Sequence, residues 1–137
     1  MPNKIHHQYS LRVYYEDTDA GGIVYYANYL KFFERARTEW LRELTIKQST
    51  YLEQNFAFVV RHVEMDNLAS AKLDDQLVVK SQIQQLKRAS LIFSQQILDQ
   101  QNKIIATAVI KVAAINHKQG KACAIPSTIL GALKRVC

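Results

Sequence analysis

Residues 26–44, YANYLKFFERARTEWLREL, set the fold. Tyr26, Tyr29, Leu30, Phe33, Ala36, Trp40, Leu41 and Leu44 recur at spacings of three and four, while Lys31, Glu34, Arg35, Thr38, Glu39 and Arg42 fill the other side. That period predicts one long amphipathic helix. Arg35 and Glu39 stand four apart and are expected to pair, but such a pair contributes only a few tenths of a kcal/mol. The helix therefore depends on whatever buries its apolar stripe.

The flanking sequence supplies that partner. In residues 8–15 the apolar Tyr9, Leu11, Val13 and Tyr15 alternate with Gln8, Ser10, Arg12 and Tyr14, a period of two that predicts a half-buried strand. Residues 16–22 are acidic and end in Gly21-Gly22, which predicts a tight loop before the helix. Beyond the helix, residues 48–53 are expected to form a short helix and 129–136 a terminal one. Between them lie four Val- and Ile-rich runs, 56–67, 76–86, 90–98 and 103–116, separated by breaks short enough for the turns of an antiparallel meander. One helix cannot bury its own stripe, whereas an antiparallel sheet curled around it can. The expected architecture is a two-layer α+β domain over residues 1–137. The sheet's outer face and edges still need cover, which predicts a homo-oligomer.

Composition agrees with a single folded domain. The chain has 137 residues, 48% hydrophobic and 22% charged, outside the range of disordered or collagen-like chains. The uncharged stretches 20–30 and 122–133 are too short to cross a bilayer. Residues 1–9 lack the apolar segment of an export signal, so a cytoplasmic location is expected. Cys123 and Cys137, and the histidines His6, His7, His62 and His117, have no metal-ligand spacing; neither a metal nor a disulfide framework is expected. The net charge of +6 favours an anionic partner. Its basic residues occur in ones and twos, as in Lys87-Arg88 and Lys134-Arg135, without a glycine-aromatic RNA-binding signature, so no nucleic acid is expected. Acidic lipid, the polyphosphate of coenzyme A and an acidic carrier protein stay open.

The chemistry sits in residues 14–29, YYEDTDAGGIVYYANY, where Glu16, Asp17 and Asp19 precede the long helix. A helix entrance offers unpaired N–H groups and a positive dipole end, which can polarise a carbonyl while a carboxylate attacks it or activates water. Spacing alone favours Asp19 or Thr18 acting as a helix cap over a catalytic role.

The whole stretch resembles the signature D-x-D-x-x-G-(I/V)-V-(Y/W)-(Y/H)-x-x-Y of the 4-hydroxybenzoyl-CoA thioesterase family of the hotdog-fold superfamily. Within it, the chain is most similar to the Tol–Pal system-associated acyl-CoA thioesterases, the YbgC-like branch. VYYEDTDAGGIVYYANY, FERARTEWLR, AFVVR and LDDQL carry the likeness over residues 11–115. It implies a hotdog fold, in which an antiparallel sheet wraps one long central helix. It implies a dimer, or a tetramer of two dimers, with active sites at the dimer interface. The implied activity is hydrolysis of acyl-CoA to free acid and CoA, linked to phospholipid and envelope metabolism. No cofactor is implied beyond the coenzyme A of the substrate, and acyl carrier protein is a candidate partner.

By the same resemblance Asp19 is the catalytic carboxylate, as nucleophile or general base, and the backbone N–H of Tyr26 polarises the thioester carbonyl. Asp17 and Gly22 shape the loop. Lys87, Arg88 and Ser90 match the turn that meets the nucleotide of coenzyme A, although Ala89 replaces one cationic position. Phe58, Val59 and Val60 are expected to line the pocket beside the helix. Many YbgC-like members carry His where this chain has Tyr26, which removes any role for an imidazole there. Two rival readings are a non-catalytic acyl-carrier or lipid-synthesis adaptor, for which the D-x-D word has no use, and a hydratase, for which the helix lacks a histidine.

Overall fold

The helix expected from the 26–44 pattern runs over Asn28–Glu43 (α1) in the structure, a computed structural model that describes residues 6–137. The reading of the N-terminus as lacking an export segment falls outside the described residues where it concerns residues 1–5. Phe32, Phe33 and Ala36 are fully buried, joined by Tyr29, Trp40 and Leu41. Each large side chain so buried stabilises the fold by roughly 1.5–3 kcal/mol relative to exposure. Two expected members of the stripe are misplaced: Tyr26 precedes the helix and is 56% exposed, and Leu30 is 37% exposed. Phe32 takes the inner position instead. The expected Arg35–Glu39 pair is replaced by Glu34–Arg37 and Glu39–Arg42, three apart, because Arg37 points inward and draws Glu34 to it.

Around α1 curls an antiparallel sheet of β1 (His7–Arg12), β2 (Phe56–Asn67), β3 (Gln76–Leu86), β4 (Ser90–Leu98), β5 (Ile104–Asn116) and the two-residue β6 (Lys121–Ala122). Its order is β1-β3-β4-β5-β2, with β6 on β5. The expected four-strand meander therefore holds only for β3 to β5. Instead of pairing with β3, β2 lies across the sheet against β5, and residues 68–75 carry the chain back. β1 ends sooner than the alternation suggests. Val13 stays buried and donates its N–H to Asp75 O at 2.9 Å, but Tyr15–Asp17 then turns as a single 3-10 loop, leaving Tyr15 exposed. The short helices α2 (Gln48–Glu53) and α3 (Ser127–Lys134) flank the β2 end of the sheet. No helix among the described residues is long and apolar enough to cross a membrane. This is the α+β hotdog arrangement.

Two details position the site. One is a buried polar link between α1 and the sheet. Gln95 Nε2 donates to Phe33 O at 3.1 Å and to Ser81 Oγ at 2.9 Å, while Gln95 Oε1 accepts from Arg37 Nη1 at 2.9 Å. With every one of these contacts satisfied, the polar groups fix how the helix sits on the sheet. The other is a bulge in β2. Val60 pairs with Val112 and His62 with Lys111, so Arg61 is an extra residue.

Candidate active site

The loop before α1 folds as a small hairpin. Thr18 bridges Val24, Asp19 N–H donates to Ile23 O at 2.9 Å, and Gly22 N–H donates to Asp19 O at 3.0 Å. Gly22 has φ +77°, a left-handed conformation that glycine adopts without a Cβ penalty. The hairpin is pinned to the returning chain: Val24 N–H donates to Ala71 O at 2.8 Å, and Leu73 N–H to Gly22 O at 3.0 Å. Below it, the buried Tyr29 hydroxyl accepts from Ala71 N–H at 3.0 Å. Burial raises that phenol's pKa above its ordinary value, an effect the Ala71 hydrogen bond opposes and the Asp75 charge reinforces.

Asp17 is buried at the base of this hairpin. Its Oδ2 accepts from Tyr14 N–H at 2.8 Å, and its carbonyl accepts from Tyr25 N–H at 3.1 Å and from Asn28 Nδ2 at 2.9 Å. Asn28 thus ties the first turn of α1 to the loop, a contact the sequence reading missed although Asn28 lies inside the quoted word. Asp19 stands at the exposed tip. Its Oδ1 accepts from Gly21 N–H at 2.9 Å, while Oδ2 has no hydrogen-bond partner among the described residues. Asp19 therefore does not cap α1; it closes its own turn, and the helix begins nine residues later at Asn28. At that entrance the N–H groups of Asn28, Tyr29 and Leu30 bond back to Tyr25, Tyr26 and Ala27. The N–H of Tyr26 finds no acceptor among the described residues.

Pocket and basic turn lie elsewhere. A cavity beside α1 is lined by Glu34, Arg37, Leu41, Gln48, Phe58, Val60 and the inward residues Leu91, Phe93 and Val112. Phe58 and Val60 face it, but Val59 does not: successive side chains of a strand point to opposite faces, so the expectation of three consecutive lining residues fails at its middle member. Arg37, buried over the Phe93 ring at 5.9 Å, was also missed. The helical period contained the signal, since Arg37 lies four residues from both Phe33 and Leu41. Burial lowers its pKa and the neighbouring Glu34 carboxylate offsets this. Lys87 and Arg88 are exposed in the β3–β4 turn, where Lys87 N–H donates to Ser90 O at 2.8 Å.

Strand register shows that one chain does not bring these groups together. At one end of the sheet Leu86, Leu91, Val112 and Val60 form a row across β3, β4, β5 and β2; at the other, Val79, Ile97, Ala106 and Asn67 do. The basic turn and the cavity belong to the first row. The Asp19 hairpin belongs to the second, through Arg12 beside Gln76 and Val13 bonded to Asp75. Six residues of β4 and β5, and seven of the bulged β2 and β3, separate the rows, roughly 20 Å.

A family model for the thioesterase-like superfamily matches residues 13–133. An acyl-CoA thioesterase YbgC from Haemophilus influenzae is 45% identical over 125 residues, covering 90% of this chain and 91% of that protein. An acyl-CoA thioester hydrolase YbgC from Escherichia coli is 39% identical over 128 residues, covering 93% and 96%. Among solved structures, a probable thioesterase from Bartonella henselae superposes with a TM-score of 0.82 at 37% identity, covering 88% of this chain and 99% of that one. A carboxylate-tipped hairpin ahead of a sheet-wrapped helix, matched along nearly its full length, places this chain in the thioesterase-like superfamily.

Proposed function

We propose that this chain, an acyl-CoA thioester hydrolase by family, works through the Asp19 carboxylate at a site that a second copy completes. The observation that carries the reading is the Asp19 side chain itself. The Gly21 N–H fixes one oxygen and leaves the other uncommitted, on the hairpin whose far end enters α1 at the acceptor-free Tyr26 N–H. That N–H would hold the thioester oxygen as charge builds on it. Oδ2 would attack the carbonyl carbon, expelling CoA thiolate and leaving a mixed anhydride that water cleaves. Alternatively, it would take a proton from the water that attacks.

The second copy follows from the edge strand. β2 pairs with β5 on one side and with no strand on the other among the described residues. Two β2 edges laid antiparallel about a two-fold axis would put the Val60 end of one copy against the Asn67 end of the other. The partner's cavity and basic turn would then approach this chain's Asp19, with Lys87 and Arg88 placed to meet the phosphates of coenzyme A.

Replacing Asp19 by Asn tests the reading. It is expected to lower kcat by about three to four decades in a thiol-release assay on acyl-CoA, with the melting temperature little changed because Oδ1 still accepts from Gly21. Turnover within tenfold of the parent would remove Asp19 from the mechanism.

A further inference from the structure

A second, larger cavity adjoins the one beside α1. Its walls are Ile46, Tyr51, Leu52, Phe56, Ala57 and Ile129, and its volume is about 200 Å³ against about 40 Å³ for the first. Gln48 and Phe58 line both and form the partition between them. The Phe58 ring stands edge-on to Phe56, centroids 5.1 Å apart at 81°, and Phe56 in turn meets Tyr51 at 6.1 Å and 75°. The partition is thus braced by neighbouring rings. No charged side chain among the described residues lines the larger cavity. A charged end group entering it would lose its hydration without meeting a counter-charge, whereas methylene groups would gain by leaving water.

We propose, resting on the hydrolase reading above, that the larger cavity receives the distal alkyl segment of the acyl group, with Phe58 as the gate that sets chain length. It offers about five times the space of the smaller cavity. The substrate class this fits is a medium-chain saturated acyl-CoA, whose alkyl end outgrows the smaller cavity and continues into the larger one. Charged acyl ends do not suit this apolar lining.

The test is the ratio of kcat/KM for decanoyl-CoA to that for butanoyl-CoA, measured on one enzyme sample so that any loss of folded protein cancels. Each buried methylene is worth about a fourfold gain, so the parent enzyme is expected to favour decanoyl-CoA by at least about a hundredfold. Leu52→Trp fills the larger cavity from its half-exposed wall and is expected to cut that ratio at least tenfold. Phe58→Ala opens the partition and is expected to move the preferred chain length up by about two carbons or more. Thiol release from butanoyl-CoA, combined with a ratio that neither variant changes, would overturn the tail site and leave the hydrolase standing. Failure of the parent enzyme to release thiol from any acyl-CoA would overturn both.

Discussion

Tyr29 illustrates how one side chain serves both core and site. Its ring packs in the core while its hydroxyl holds Ala71 N–H, the same residue whose carbonyl anchors Val24 of the Asp19 hairpin. Tyr29→Phe keeps the packing but strands a buried donor, so it is expected to cost about 1–3 kcal/mol in denaturant unfolding. A pH signature accompanies it. The folded phenol's pKa is raised above 10.0, so its contribution to stability is complete below that value. As pH rises past it the unfolded chain ionises first, and stability falls until the folded phenol ionises too. Tyr29→Phe is expected to flatten this part of the stability profile above about pH 10; an unchanged alkaline slope would show that the phenol does not contribute to it.

At the scale of the element, the hairpin 18–24 depends on Gly22. No atom lies within 4 Å of where a Cβ would stand, so Gly22→Ala meets no clash and pays only for its left-handed backbone, about 1–2 kcal/mol. Loss of stability in that range with a partial fall in kcat is the expected result; a neutral substitution would mean the loop relaxes freely.

The elements also show what was legible beforehand. The long helix and strands β3, β4 and β5 could be read because burial imposes a period on their residues. The neighbour of β2 could not, since pairing partners leave no mark in a single strand's alternation. Asp17 and Asp19 were legible as a pair, and the resemblance already divided them into loop former and catalytic carboxylate; what residue spacing could not show is the burial of one and the exposure of the other at the tip. The hydrogen bonds that decide this come from Tyr14, Asn28 and Gly21, whose backbone and amide groups have no sequence period.

On the scale of the whole molecule, the separation of Asp19 from the basic turn gives the proposed site a test that no single-chain arrangement passes. Take one variant with Asp19→Asn and a second with Lys87→Glu and Arg88→Glu, each expected to be nearly inactive at low substrate. In a random mixture half of the dimers carry one chain of each kind. Such a dimer has one doubly damaged site and one intact site, so mixing after reversible dissociation is expected to restore up to about a quarter of parental activity. Absence of any recovery in verified mixed dimers would mean that both groups serve the same site from one chain.

The extra residue in β2 has a further bearing on that seam. Before it, Phe58 and Val60 point inward at even positions; after it, Val63 and Met65 face Ile110 and Ala108 at odd ones. Arg61 is thus a phase shift, and a chain lacking it could keep all four on the inner side with a plain ladder. Loss of that residue would keep the same inward set and alter the curvature of the border. Relatives differing in length here would be free to change how two copies meet while preserving the same hydrophobic heart.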